Sequence, residues 1–360
     1  MIKKPDNKNY INEIFILRAV ACLSVVLLHS IEVTQLDVSI INDKLNIIIT
    51  IIRVLLTFGT PTFIFISILL ISYSYPNGLP SNFLVRRLKL IMLPYLSMAV
   101  FYAVIVGVVE SISTKEIIIN IFFNILGNYH GYFVLIIFQF YLLSYFFHNY
   151  LSRKNPFVII TISLIINLFY LGVFNFSNSP IDSELVNYFW KRGHWIPFIG
   201  WVFYFTLAYY IGRNYSLFLS ILDKNRRLIL VATIFFAILT AILSSLELIP
   251  VSSKSYIMVF FTTSMIGTLY NIFTKIKNTP YLIMQISRYS FPIYLLHLFY
   301  LIIINKVLGI LGVDWTVFKI VFLFIGSIIA SMITTYLLNK LKIGKYLVGG
   351  INNIGAVSSK

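Results

Sequence analysis

Apolar runs, each about as long as a helix needs to cross a bilayer, alternate with short polar stretches along all 360 residues. Ten runs reach that length, near residues 12–32, 50–74, 90–109, 131–149, 157–176, 196–212, 228–246, 256–274, 289–308 and 317–338. An additional apolar stretch, Ile117 to Leu126, is too short to span and is expected at the interface. The pattern predicts an all-α polytopic membrane protein, a bundle of about ten transmembrane helices. Pro61 interrupts the second run. No internal repeat, low-complexity linker or soluble stretch is evident, so a single integral membrane domain over 1–360 is expected, with no extra soluble domain. The leading "MIKKPDNKNY" is basic, but the run behind it lacks a small-residue cleavage site, so a retained first helix is expected rather than a signal peptide.

Composition agrees: 59% of residues are apolar and 11% charged. The net charge of +16 arrives as short basic clusters between apolar runs, not as one stripe, which reads as topology signals and not as a nucleic-acid surface. Of the 28 Lys and Arg, nineteen fall on the side of the termini, eight on the other and Arg18 within the first run. That asymmetry puts both termini in the cytoplasm and the protein in the cell membrane, its lipid bilayer the first partner. Cys22 is the single cysteine, which excludes internal disulfides and Cys-based metal sites. The five histidines are scattered without an i, i+4 pair, so no metal is expected.

Polar residues inside the apolar runs carry the candidate chemistry. "EIFILRAVACLSVVLLHS" holds Arg18 and His29, although a charge at mid-bilayer costs about 2.5–3.5 kcal/mol. Eleven helical residues turn about 20° past three full turns, so both lie on one face, roughly 16 Å apart along the axis. His29 is either a hydrogen-bonding residue of the bundle or a base with a neutral imidazole at ordinary pH. Glu32, three residues on, either orients it or marks the outer boundary. Arg18 needs an anion: Glu13, five residues away and poorly aligned, or an anionic group of a ligand. Arg86, Arg87 and Lys89 begin the third run, as topology signals or as an anion grip. His297 falls near mid-membrane, a second polar partner for a reaction channel. "NYFWKRGHWIPF" concentrates Trp190, Lys191, Arg192, His194 and Trp195 at the outer face, as an aromatic belt or as a glycan platform. His130 and His148 flank the fourth run and receive no role.

Four stretches in order resemble the membrane acyltransferase-3 family: "LRAVACLSVVLLH", "FGTPTFIFISILL", "RRLKLIMLPY" and "ISRYSFPIYLLH". Ile68 stands where the second motif usually has glycine, and Lys89 where the third commonly has a second arginine. "HGYFVLIIFQFYLLSY" and "GWVFYFTLAYYIGRNY" resemble the intercellular-adhesion membrane proteins of Gram-positive bacteria, which modify or export poly-N-acetylglucosamine. The resemblance implies transfer of an acyl group, acetyl or succinyl, from cytoplasmic acyl-CoA to a hydroxyl of an extracytoplasmic polysaccharide. Acyl-CoA is then a co-substrate, with no tightly bound cofactor. His29, Arg18 and His297 are implied as catalytic and Arg86, Arg87 and Lys89 as the grip on CoA phosphates. The acceptor is expected at Glu32 and the Trp190–Trp195 cluster, with a polysaccharide synthase as a further candidate partner. The rival classes are a polysaccharide exporter and a structural partner of a synthase. A transporter favours paired breaks in corresponding halves, and the seventh run has none to match Pro61.

Reporter fusions at Lys154 and Lys360 are expected to read cytoplasmic and one at Ser179 external. A cytoplasmic signal at Ser179 overturns the orientation.

Overall fold

The computed structural model describes residues 11–37, 43–312 and 316–351; Lys3, Lys4, Lys8 and Lys360, used above for orientation, lie outside them. Among the described residues every regular element is helical. The first half runs α1 (Asn12–Asp37), α2 (Asp43–Leu56), α3 (Gly59–Ser74), α4 (Phe83–Arg87), α5 (Leu93–Glu110), α6 (Thr114–Ile125), α7 (Phe133–Ser152) and α8 (Pro156–Phe176). The second half runs α9 (Glu184–Trp195), α10 (Val202–Arg213), α11 (Tyr215–Lys224), α12 (Arg226–Ser245), α13 (Met258–Phe273), α14 (Tyr281–Ile310), α15 (Thr316–Asn339) and α16 (Gly344–Leu347). Nine segments among the described residues are long and apolar enough to cross a membrane. This is a multi-pass membrane protein. The eighth expected span is α13, which has 16 residues and is shorter than the others because Ser252–Ile257 is wound as tight turns.

Interruptions of the helices have local causes. The second run breaks between α2 and α3 at Thr57–Phe58, where Thr57 Oγ1 donates to the Val54 carbonyl (2.7 Å). Pro61 then falls in the first turn of α3, where a missing amide costs nothing. A π-turn over Leu88–Met92 joins α4 to α5, because Pro94 offers no amide to the Leu90 carbonyl. Helix α6 is closed by a capping box in which Ser113 and Glu116 satisfy each other's amides. It is a separate short helix against α5, as its length predicts, and Gly107 makes room for the Ile117 side chain.

Two grades of burial separate centre from rim. The α1 and α2–α3 spans are 61% and 67% buried, whereas α8 and α12 are each 17% buried and turn apolar side chains outward to lipid. Helix α1 lies centrally, packed on α3, α14 and α15. Small residues permit this. A Cβ on Gly59 would overlap Ser24 Oγ and stand 2.8 Å from the Ala21 carbonyl, so α3 meets α1 backbone to backbone. Hydroxyls in these helices return to their own carbonyls: Ser30 Oγ to Val26 O (2.7 Å) and Thr335 Oγ1 to Ser331 O (2.7 Å).

Gly59→Leu is expected to lower the melting temperature in detergent, overpacking here costing about 1–3 kcal/mol. Gly172→Ala, with nothing within 4 Å of its Cβ, should melt as the parent does; equal melting of all three excludes the α1–α3 contact as a packing constraint.

Candidate active site

Three helices and one short turn bring the polar residues together at one end of α1. The Nδ1 of His29 lies 2.8 Å from Glu32 Oε2, and Arg53 Nη2 on α2 lies 2.9 Å from Glu32 Oε1. These are the two ion pairs among the described residues, and they share one carboxylate. A carboxylate accepts, so Nδ1 of His29 carries the proton and Nε2 is left as the basic lone pair. The ring is 27% exposed, accessible to a ligand.

The His297 ring on α14 sits 5.3 Å from the His29 ring. Its Nδ1 contacts the Tyr294 and Ile293 carbonyls at 2.8 and 3.0 Å. Carbonyls only accept, so here too Nδ1 holds the hydrogen and Nε2 faces the site unprotonated. That nitrogen is buried and has no hydrogen-bond partner among the described residues. A third imidazole, His130, stands edge-on to His297 at 5.3 Å. Its Nε2 donates to the Tyr294 and Leu295 carbonyls at 3.1 and 3.2 Å.

A backbone carbonyl has two lone pairs, so these accept from side chains while α14 stays continuous over Tyr281–Ile310. Pro292 withholds its amide from the Arg288 carbonyl one turn back. The Tyr102 hydroxyl donates to Leu295 O (3.0 Å) and accepts the Phe299 amide (3.1 Å), bridging two groups that would otherwise bond each other. His130 enters on the short turn His130–Tyr132, and Tyr294 Oη donates back to the His130 carbonyl. Gly131 is required there, because a side chain would run into the Tyr129 ring.

At the other end of α1 the expected cations partly converge. The Arg87 guanidinium covers the Phe83 and Tyr141 rings at 5.1 and 5.3 Å. Arg18 and Arg87 interact electrostatically with each other and with the Tyr141 hydroxyl, beside Ser67. Among the described residues neither arginine has a carboxylate within ion-pair distance. Arg86 and Lys89 do not join them: both are exposed, since adjacent helical positions diverge by about 100°. Glu13 turns instead toward Tyr215 and Tyr270, so it is not the partner of Arg18.

The outer cluster divides. Trp190, Lys191, Arg192 and His194 line a groove of about 850 Å³. Trp195, about 140° round the helix from Trp190, faces the other way and takes Lys254 Nζ over its ring at 4.5 Å.

Sequence reasoning thus placed His29, Glu32, His297, Arg18 and Arg87, and missed two residues. His130 lies outside every helical run, so no periodicity pairs it with His297; its place in "HGYF", before a glycine, was the available signal. Arg53 reads in the sequence as one more basic residue at the start of an apolar run, because its partner is on another helix, 21 positions away.

A carboxylate-oriented imidazole thus lies at one end of α1, and two interacting guanidinium groups lie at the other. The model of the acyltransferase family, described as "Acyltransferase domain", matches residues 11–337, and the chain belongs to that family. It is 38% identical to the "Putative membrane-bound acyltransferase YfiQ" of Bacillus subtilis (strain 168), over 95% of both chains. It is 30% identical to the "Probable poly-beta-1,6-N-acetyl-D-glucosamine export protein" of Staphylococcus aureus (strain MSSA476), over 79% of this chain and 81% of that one. The Staphylococcus epidermidis protein of the same name is also 30% identical, over 79% of each. No solved structure matches the chain at comparable significance.

Glu32→Gln keeps the shape of the network but lets the amide nitrogen face His29 and favour the wrong tautomer. It is expected to forfeit much of the about 10²–10⁴-fold that a general base supplies. Arg53→Gln is expected to reduce kcat, and Arg53→Lys to restore part of it. An unchanged kcat in both Glu32→Gln and Arg53→Gln excludes the network from catalysis.

Proposed function

We propose that the protein is an O-acyltransferase moving an acetyl or succinyl group from cytoplasmic acyl-CoA to a hydroxyl of an extracytoplasmic polysaccharide, both termini lying in the cytoplasm. The observation that carries this reading is the Arg53–Glu32–His29 chain of contacts, which leaves His29 Nε2 as a free base. The acceptor oxygen attacks the thioester carbon while its proton passes to that nitrogen. Glu32 stabilises the imidazolium that forms. The carbon–sulfur bond then breaks, and the departing thiolate takes the proton from His29. His297 Nε2, a buried acceptor with no partner among the described residues, is satisfied by a donor group of a bound substrate. His130 ties its own short turn to the turn of α14 from which His297 projects.

Arg18 and Arg87 are the phosphate grip on the donor: bare guanidinium groups in a low-dielectric interior need an anion, and a phosphate fits the guanidinium fork. The roughly 16 Å between Arg18 and His29 along α1 is filled by the extended arm that joins CoA phosphates to the thioester. Export of the polymer is the second reading, favoured by the printed name of the staphylococcal relatives.

The variants of the two ends should fail differently. His29→Ala is expected to depress kcat about 10²–10⁴-fold with donor still bound; Arg18→Ala and Arg87→Gln should raise KM for acyl-CoA, whereas Arg86→Gln should not. The measurement is O-acyl content of the surface polymer beside the quantity exported, with KM taken on purified protein. Normal acylation by His29→Ala overturns the assignment of the base, and export lost with acylation preserved favours the exporter.

A further inference from the structure

The groove beside α9 has chemistry that the reaction at His29 does not use. The rings of Phe174 and His194 stack 5.4 Å apart at 9°, and Trp190 packs against Phe174 at 4.6 Å, giving an apolar wall. The same lining offers Asp182 and Asn187, joined by a hydrogen bond (3.2 Å), and Lys191. The volume of about 850 Å³ leaves room for a small ligand. Aromatic rings beside carboxylate, amide and ammonium groups suit a ligand with a C–H face and a rim of hydroxyls, which is a pyranose. An anionic headgroup fits less well: Asp182 would repel it, and the Arg192 guanidinium is taken by the Tyr188 ring (3.4 Å) and by Asn128 Oδ1.

The groove is also tied to the histidines. Arg192 holds Asn128, two positions before His130, and Trp195 packs against Tyr132 at 6.2 Å, two positions after it. Occupancy of the groove therefore bears on the turn that presents His130, at the His29 end of α1 and far from Arg18.

We propose that this groove is a subsite for the acceptor polymer, holding a sugar unit that flanks the one acylated at His29. The inference rests on the reading of the acceptor as a polysaccharide, but binding is measurable without turnover. Purified protein in detergent is titrated with a β-1,6-linked N-acetylglucosamine pentamer and with a dextran oligomer, read by tryptophan fluorescence and calorimetry. The parent and the inactive His29→Ala should bind one of them alike, while Trp190→Ala weakens binding about tenfold or more and Asp182→Asn weakens it less. In turnover, Trp190→Ala should raise KM for the pentamer more than for a single N-acetylglucosamine glycoside. No binding of either oligomer by the parent, or binding that Trp190→Ala and Asp182→Asn leave unchanged, overturns the subsite. So does loss of binding in His29→Ala with Trp190→Ala unaffected, which moves the sugar site to the histidines. Binding of short-chain phosphatidylglycerol instead, abolished by Lys191→Gln, assigns the groove to a lipid headgroup and also overturns it. Acylation by His29→Ala, in contrast, would remove the proposed base and leave the groove standing.

Discussion

The carboxylate of Glu32 is the interaction on which the reaction centre depends. A half-buried anion at the edge of a bilayer requires compensation, and it receives a ring N–H from its own helix and a guanidinium from α2. The first contact fixes the His29 tautomer. The second fixes where α2 crosses α1. Removing either partner would leave charge exposed to a low-dielectric surrounding, so the network is held together by what it would cost to be incomplete.

Helix α1 carries both ends of the chemistry, and its placement follows from small side chains. Gly59 and the serines that bond their own carbonyls let neighbouring helices approach closely. Rim helices such as α8 and α12 need no such feature, because lipid accepts any apolar surface. The result is a central helix with an imidazole near one end and, at the other, two guanidinium groups that have no carboxylate partner among the described residues. A substrate that is anionic at one terminus and acylated at the other would span it.

Helix α14 stays continuous where His297 projects, and its carbonyls carry extra side-chain partners there. The Tyr102 hydroxyl bridges Leu295 O and the Phe299 amide, and the imidazoles of His130 and His297 contact the carbonyls of Ile293, Tyr294 and Leu295. The turn that brings in His130 is braced on both sides, Arg192 holding Asn128 and Trp195 packing against Tyr132, which ties the groove beside α9 to the histidine cluster through the five residues 128–132.

Hydrophobic run length determined the membrane class and the approximate number of crossings, ten expected against nine long apolar segments among the described residues, since the bilayer imposes one length on every crossing; it did not fix the helix ends, and α14 begins at Tyr281, eight residues before the expected 289. The 3.6-residue period placed Arg18, His29 and Glu32 on one face without help, because those relations lie within a single helix. It could not separate Arg87 from Arg86 and Lys89 in function, since which side of a helix faces inward depends on its neighbours. Nor could it reach Arg53 or His130. Both meet their partners across elements, where sequence distance carries no information, and the energy that joins them, a shared carboxylate and a pair of backbone carbonyls, exists only after the bundle has assembled.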